Sequence, residues 1–219
     1  MAESAAHLVD EVLPHKPYRQ WVISFPYQIR FLLAQQPKVM SEVLRIINRA
    51  VETQLIKKAG LTKKSGTRSG AVTFVQRFGG SINLNIHFHQ LYLDGVYTFE
   101  DDRAQFHVVD PPSTKELENL IRQIAGRVIE LLLRRGLIEK DDSGENYLPS
   151  PGGVFDQIQG SSITYRVTFG PRKGQKVLSL QTVPAKGDAR KDNYLAKYSG
   201  FSLHAGVSTS ASDRKKLER

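Results

Sequence analysis

Apolar residues recur along this chain with two different periods, and the switches between them outline the elements. In residues 37–60, Val39, Met40, Val43, Leu44, Ile47, Ala50, Val51 and Leu55 follow one another at three- and four-residue steps. That spacing lays one apolar stripe along a helix, which Pro37 opens and Gly60 ends. A second helix has an evident start. Ser113 takes the N-cap, Glu116 completes a capping box, and Leu117, Leu120, Ile121, Ile124, Val128, Leu131 and Leu132 share one face as far as Gly136. Between the two helices the period falls to two. Residues 71–78 (AVTFVQRF), 83–91 (NLNIHFHQL) and 96–99 read as neighbouring antiparallel strands with Asp94-Gly95 as a hairpin turn, and a short strand over 105–109 precedes Pro111-Pro112.

The flanks extend this alternation. A polar lead with a short helix over 5–13 breaks at Pro14 and Pro17, and the run RQWVISF (19–25) reads as a strand that stops at Pro26. Beyond an acidic loop at 139–145, residues 162–169 and 176–182 are strand-like, with PRKGQK between them as a basic turn. Residues 192–219 are expected to be helical at both ends around GFSLHAG. This order predicts an α+β fold, a mostly antiparallel central sheet with helices packed on it. Residues 1–16 are a lead segment and 17–219 one domain, without internal repeats.

Composition narrows the class. With 40% hydrophobic and 24% charged residues in 219, the chain is too apolar for disorder and too interrupted by charge for a membrane protein. The absence of Cys excludes disulfides, thiolate zinc sites, iron-sulfur clusters and cysteine nucleophiles within this sequence. The acidic start MAESAAHLVDEVL has no basic region followed by an apolar one, so a cytoplasmic location is expected. The formal charge is +9, and residues 161–219 hold twelve Lys and Arg against four Asp and Glu. Such a basic sector fits a polyanionic partner or, equally, a solvated Lys-rich tail. Lys57, Lys58, Lys63, Lys64 and Arg68 add a second basic stretch around a Ser/Gly/Thr-rich loop.

The candidate chemistry lies in Asn83-Leu84-Asn85-Ile86-His87-Phe88-His89. On a strand, Asn83, Asn85, His87 and His89 leave one face, while Leu84, Ile86 and Phe88 leave the other. Two imidazoles at this spacing can offer nitrogen to one divalent ion, although most His-x-His pairs are ordinary surface or hydrogen-bonded histidines. A third ligand must come from elsewhere. Gln90 is on the wrong face, and His204 in GFSLHAG is the candidate, against the plainer reading of a hydrogen-bonded loop histidine. The second feature is Tyr194-Leu195-Ala196-Lys197-Tyr198, read as a helix carrying two tyrosines on one face with Lys197 beside them. A tyrosine hydroxyl can attack phosphorus and a nearby lysine can stabilise the developing charge; the plainer reading of the pair is packing.

The runs HKPYRQWVISFPYQIRFLL, GAVTFVQRFGGSINLNIHFHQLYLDGVY and GFSLHAG resemble the rolling-circle transposases of bacterial insertion sequences, the two-tyrosine branch of the HUH endonucleases. The resemblance covers nearly the whole chain. It implies that His87 and His89 bind Mg²⁺ or Mn²⁺, and that a tyrosine cuts one DNA strand and stays bonded to the 5′ phosphate. A second transesterification then joins that phosphate to a target. It makes Tyr194 and Tyr198 the candidate nucleophiles and single-stranded or hairpin DNA ends of a mobile element the partner. Arg77, Lys63, Lys64, Arg172, Lys173, Lys176 and Lys197 are then candidate phosphate contacts. Relatives carry a Cys-rich zinc-binding domain before the segment matching MAESAAHLVDEVLP and continue beyond the segment matching KKLER. The chain is therefore expected to be a central fragment, with the essential tyrosine either in Tyr194-Tyr198 or beyond Arg219. The rival reading is a non-catalytic DNA-binding remnant of such a transposase. A two-histidine phosphoesterase acting on RNA ranks last, since it would need a second His-x-Ser/Thr pair.

Overall fold

In the computed structural model, which describes residues 6–62, 66–78, 84–101, 103–140, 146–147, 170–173, 175 and 194–217, one π-helical turn (Leu8–Val12) leads into β1 (Tyr18–Ser24). There follow α1 (Tyr27–Gln35), α2 (Pro37–Lys58), β2 (Ala71–Phe78), β3 (Leu84–Leu93), β4 (Gly95–Glu100), β5 (Arg103–Val108) and α3 (Thr114–Arg134). The two-residue strands β6 (Glu139–Lys140) and β7 (Asn146–Tyr147) come next, then β8 (Leu195–Tyr198), β9 (Phe201–Thr209) and the short α4 (Arg214–Leu217). Five strands form one antiparallel sheet in the order β2-β3-β1-β9-β8, so the N-terminal strand lies in its middle. The α+β class and the helix-backed antiparallel sheet are as the sequence predicts.

Strict alternation divides the sheet. Trp21, Ile23 and Phe25 from the β1 segment, Ile86, Phe88 and Tyr92 of β3, and Ala196, Phe201, Leu203 and Ala205 of β8 and β9 are buried with the apolar stripes of α1, α2 and α3. Phe25 meets Phe88 edge-on at 5.2 Å and Phe201 at 5.9 Å. The capping box of α3 forms as expected, with Ser113 Oγ accepting from the Glu116 amide and Glu116 accepting from the Ser113 amide. The Glu116 carboxylate also accepts from Lys58 Nζ at 2.7 and 2.9 Å, which ties the C-terminus of α2 to the N-terminus of α3. Both charges lie at the helix ends that favour them. At one end of the opposite face, Tyr18, Leu93, Val9 and Leu13 bury against Leu91, Tyr97, Phe106 and Leu217.

Several expectations are corrected. Asp94-Gly95 does not close a β3–β4 hairpin: β4 pairs with β5 in a separate two-stranded sheet, because both edges of β3 are already occupied by β1 and β2. Asp94 instead gives both carboxylate oxygens to Arg19, whose Nε and Nη2 donate at 2.9 and 2.8 Å. Gly95 is small for a reason of packing, since a Cβ there would sit 2.4 Å from the His107 carbonyl oxygen. Residues 195–198 are strand, not helix, and Ser199 and Gly200, with φ of 46° and 78°, turn the chain tightly into β9. The C-terminal end of that segment is helical over Arg214–Leu217. The helix α1 was not anticipated. The strand-like runs 162–169 and 176–182 lie outside the described residues.

Arg19 and Asp94 are both buried, and Arg19 Nη1 also donates to the Ala205 carbonyl at 2.9 Å, so one guanidinium links β1, the end of β3 and β9. Removing one partner leaves the other charged and desolvated. Asp94→Ala is expected to lower the unfolding free energy by about 3–5 kcal/mol, and the apolar pair Arg19→Met with Asp94→Leu by clearly less, as read by urea denaturation.

Candidate metal and nucleic-acid site on the polar face of the sheet

The strand alternation that buries Ile86 and Phe88 sets Asn85, His87 and His89 half-buried on the other face of β3. Neighbouring strands continue the pattern in two rows. Phe74, His89, Val22, His204 and Leu195 oppose one another from β2 to β8, and beside them run Gln76, His87, Ser24, Ser202 and Lys197. The helices pack their apolar stripes against the opposite face.

Within this face the imidazoles are held individually. The His87 and His89 ring centres are 4.9 Å apart, with planes at 58°. His87 Nδ1 lies 2.6 Å from the Asn85 carbonyl oxygen; a proton on Nδ1 donates there and leaves the Nε2 lone pair free. Gln20 Nε2 on β1 lies 3.2 Å from His89 Nδ1; turned about its axis, the amide would accept from Nδ1–H through its oxygen and leave the His89 Nε2 bare as well. Burial, and after it the neighbouring His87, hold the His89 imidazole below the ordinary histidine range, so it is neutral at pH 7. Asn85 Oδ1, on the same strand face, is buried and has no hydrogen-bond partner among the described residues. A buried acceptor without a donor, beside an imidazole pair, suits a cation, and a set of two imidazole nitrogens and an amide oxygen fits a divalent ion that completes its shell with water or phosphate oxygen. Among the described residues no three His, Cys, Asp or Glu side chains are placed to hold a metal together.

The other predicted site residues divide. His204 shares the polar face, but β1 separates its strand from β3, and Val22 stands between it and His89. Its ring lies over Gly206, where a Cβ would be 2.8 Å from Nε2. The structure therefore does not join His204 to the pair as a third ligand. Lys197 is exposed at the far end of the His87 row. Tyr194 packs against the helix-side core with Arg19 over its ring at 5.9 Å, and Tyr198, 43% exposed, lies under Arg122 of α3 at 5.8 Å. By strand parity Tyr198 is thus on the side of the sheet away from His87 and His89, and Lys197 is on the other. Tyr194, just ahead of β8, touches the helix-side core and has its Cβ near the point over Gly206 that His204 Nε2 approaches. Arg77 is exposed on β2, and Arg172 and Lys173 are exposed in a turn at 170–173; Lys63, Lys64 and Lys176 lie outside the described residues.

Three other tyrosines are poor nucleophiles. Burial pushes the Tyr18 hydroxyl up to about 12 and raises Tyr92 and Tyr97 as well, while Tyr92 donates to Asn48 Oδ1 at 2.8 Å. Pattern reading passed over Gln20, and it set Asn85 on the imidazole face without offering it as a ligand. Asn85 was visible as the next residue of the same face, whereas Gln20 depends on the pairing of β1 with β3, for which the sequence holds no local signal.

The fold is thus a helix-backed antiparallel sheet with paired imidazoles on its polar face. Residues 70–219 match the family model described as Putative transposase (Y2_Tnp), and the chain belongs to that transposase family. Membership implies interaction with DNA. No curated protein and no solved structure gives a match. No described helix is long and apolar enough to cross a membrane.

Because the folded His89 binds its proton later than the unfolded chain does, stability is expected to fall as pH drops below about 6.5. Following unfolding between neutral pH and pH 5 in wild type and His89→Gln checks this, the variant showing the shallower slope.

Proposed function

We propose that this chain is the strand-cleaving and strand-joining domain of a transposase of the two-tyrosine HUH type. It would cut one DNA strand at the polar face beside His87 and His89. A tyrosine oxygen attacks the scissile phosphorus, the P–O3′ bond breaks, the 3′ oxygen leaves as a hydroxyl, and the 5′ phosphate remains on the tyrosine. In the second step a 3′ hydroxyl attacks that phosphotyrosine, the new phosphodiester forms, and the tyrosine regains its proton. Bond energy is conserved throughout, so no nucleotide cofactor is required.

The observation that carries this reading is the imidazole pair, with each Nδ1 hydrogen-bonded and the orphaned Asn85 Oδ1 on the same face. Mg²⁺ or Mn²⁺ held by His87 and His89, with Asn85 beside them, would supply Lewis-acid polarisation of the scissile phosphate. The protein's own part is to keep His89 neutral, to fix the ring of each histidine, and to offer Lys197 to the backbone along the His87 row. Arg77, Arg172 and Lys173 suit phosphate contact on exposed surface, and Lys63, Lys64 and Lys176 join that proposal from sequence. Tyr194 and Tyr198 stay the candidate nucleophiles within this sequence, and Tyr198 would have to leave its place under Arg122 to reach the imidazoles.

A second reading has a specific observation behind it. The placement of Tyr198 on the helix side, with no third His, Cys, Asp or Glu side chain beside the pair among the described residues, suits a DNA-binding remnant without chemistry.

Purified protein with Mn²⁺ is expected to nick single-stranded DNA and leave a covalent adduct that migrates with the protein in denaturing gels. His87→Ala should abolish it, and its loss in Tyr194→Phe or in Tyr198→Phe identifies the attacking residue. Salt-dependent DNA binding that is indifferent to His87→Ala and His89→Ala, with no adduct on any single-stranded or hairpin substrate, selects the remnant instead.

A further inference from the structure

Phe74 is directly opposite His89 in the β2–β3 ladder, so both side chains leave the sheet on the same face, with Cβ atoms about 4.5–5.5 Å apart. The ring is 54% exposed, on an edge strand with no outer partner among the described strands. It cannot turn inward by a local adjustment. The preceding Thr73 points to the helix side, where its Oγ1 accepts from Gln90 Nε2 at 3.2 Å, and Gln90 Nε2 also donates to Asn48 Oδ1 at 2.6 Å. That network fixes the parity of β2 and holds Phe74 outward. Packing does not explain a phenylalanine here, because Phe74 belongs to neither buried cluster. A chain with +9 net charge in a family that acts on DNA offers a nucleic acid as the occupant of such a ring. Duplex bases are already stacked on each other, whereas an unpaired base has a free π-face for which an aromatic ring is a sequence-tolerant platform.

We propose that Phe74 stacks on an unpaired base flanking the phosphate that reaches His87 and His89, and so restricts this face to single-stranded DNA. This deepens the strand-cleavage reading and rests on it for the position of the phosphate. No hydrogen-bond donor or acceptor beside the ring is required, so the contact selects strandedness and not sequence.

The test is binding of the full chain to labelled oligothymidylate and to a duplex of matched length, in EDTA at fixed salt. Phe74→Ala and Phe74→Leu are expected to weaken single-strand binding about 5- to 100-fold and to leave duplex binding unchanged, and Phe74→Trp is expected to restore it. The leucine variant keeps apolar area and removes the π-face, so it also answers a fold defect in the alanine variant. Adduct formation by the wild type with Mn²⁺ is read beside binding: absence of the adduct with the Phe74 effect intact fails the cleavage reading alone, and an adduct with equal binding by Phe74→Leu fails the stacking proposal alone. Equal binding by Phe74→Leu and wild type, or equal losses on both DNAs, overturns the proposal. So does a wild-type dimer in sedimentation that Phe74→Ala dissolves, since the ring would then cover a second copy of the chain.

Discussion

A slip of one residue between β1 and β3 would carry His87 and His89 into the helix-packed core and turn Ile86 and Phe88 out to solvent. The pairing of these two strands is therefore the constraint on which the site depends, and it is held at both ends. Arg19 and Asp94 close the end at Tyr18 and Leu93 with a bidentate pair, and a slipped ladder would leave two buried charges without partners. At the other end Phe25 is wedged between Phe88 and Phe201. Between them Tyr92 and Gln90 converge on Asn48 of α2, which fixes β3 against the helix behind it. The ion pair adds little net stability for its desolvation, but it makes the alternative registers costly.

The periodic elements were legible because each is dictated by neighbours in sequence. The stripe of α2, the capping box of α3 and the two faces of β3 all follow from local spacing. What failed was whatever depends on strand order. Asp94-Gly95 carries a hairpin signature, yet its acid is engaged by an arginine 75 residues away and its glycine admits the β5 backbone. Tyrosines four apart share a face on a helix and on a strand alike, so the spacing of Tyr194 and Tyr198 did not distinguish the two; the turn at Ser199-Gly200 was the discriminating signal. His204 was placed on the correct face by alternation, but the intervening β1 puts it about 10 Å of strand spacing from β3. The helix α1 had a usable pattern in Ile29, Leu32 and Leu33, overshadowed by the flanking Pro26 and Pro37.

The strand order also explains why the matched family region does not build the site by itself. Residues 70–219 contain β2, β3, β8 and β9, while β1 precedes them and supplies Gln20 to His89 and Val22 and Ser24 to the centre of the polar face. Without β1, the strands β3 and β9 would have no common partner.

The two rows of the polar face differ in kind. The His87 row reads Gln76, His87, Ser24, Ser202 and Lys197, polar throughout, and spans about 14 Å from His87 to its terminal cation. The His89 row reads Phe74, His89, Val22, His204 and Leu195, with an apolar side chain between or beyond each imidazole. A DNA strand has the same division, a charged backbone on one side and apolar base faces on the other. On the proposed reading, the backbone crosses the sheet along the polar row, where hydroxyls and an ammonium meet phosphate oxygens, and the bases lie over the row that begins with Phe74. The imidazole pair then stands where the two rows meet β3. Whichever metal or water completes that site would act at the boundary between phosphate and base, which is where a strand must be gripped for its backbone to be cut.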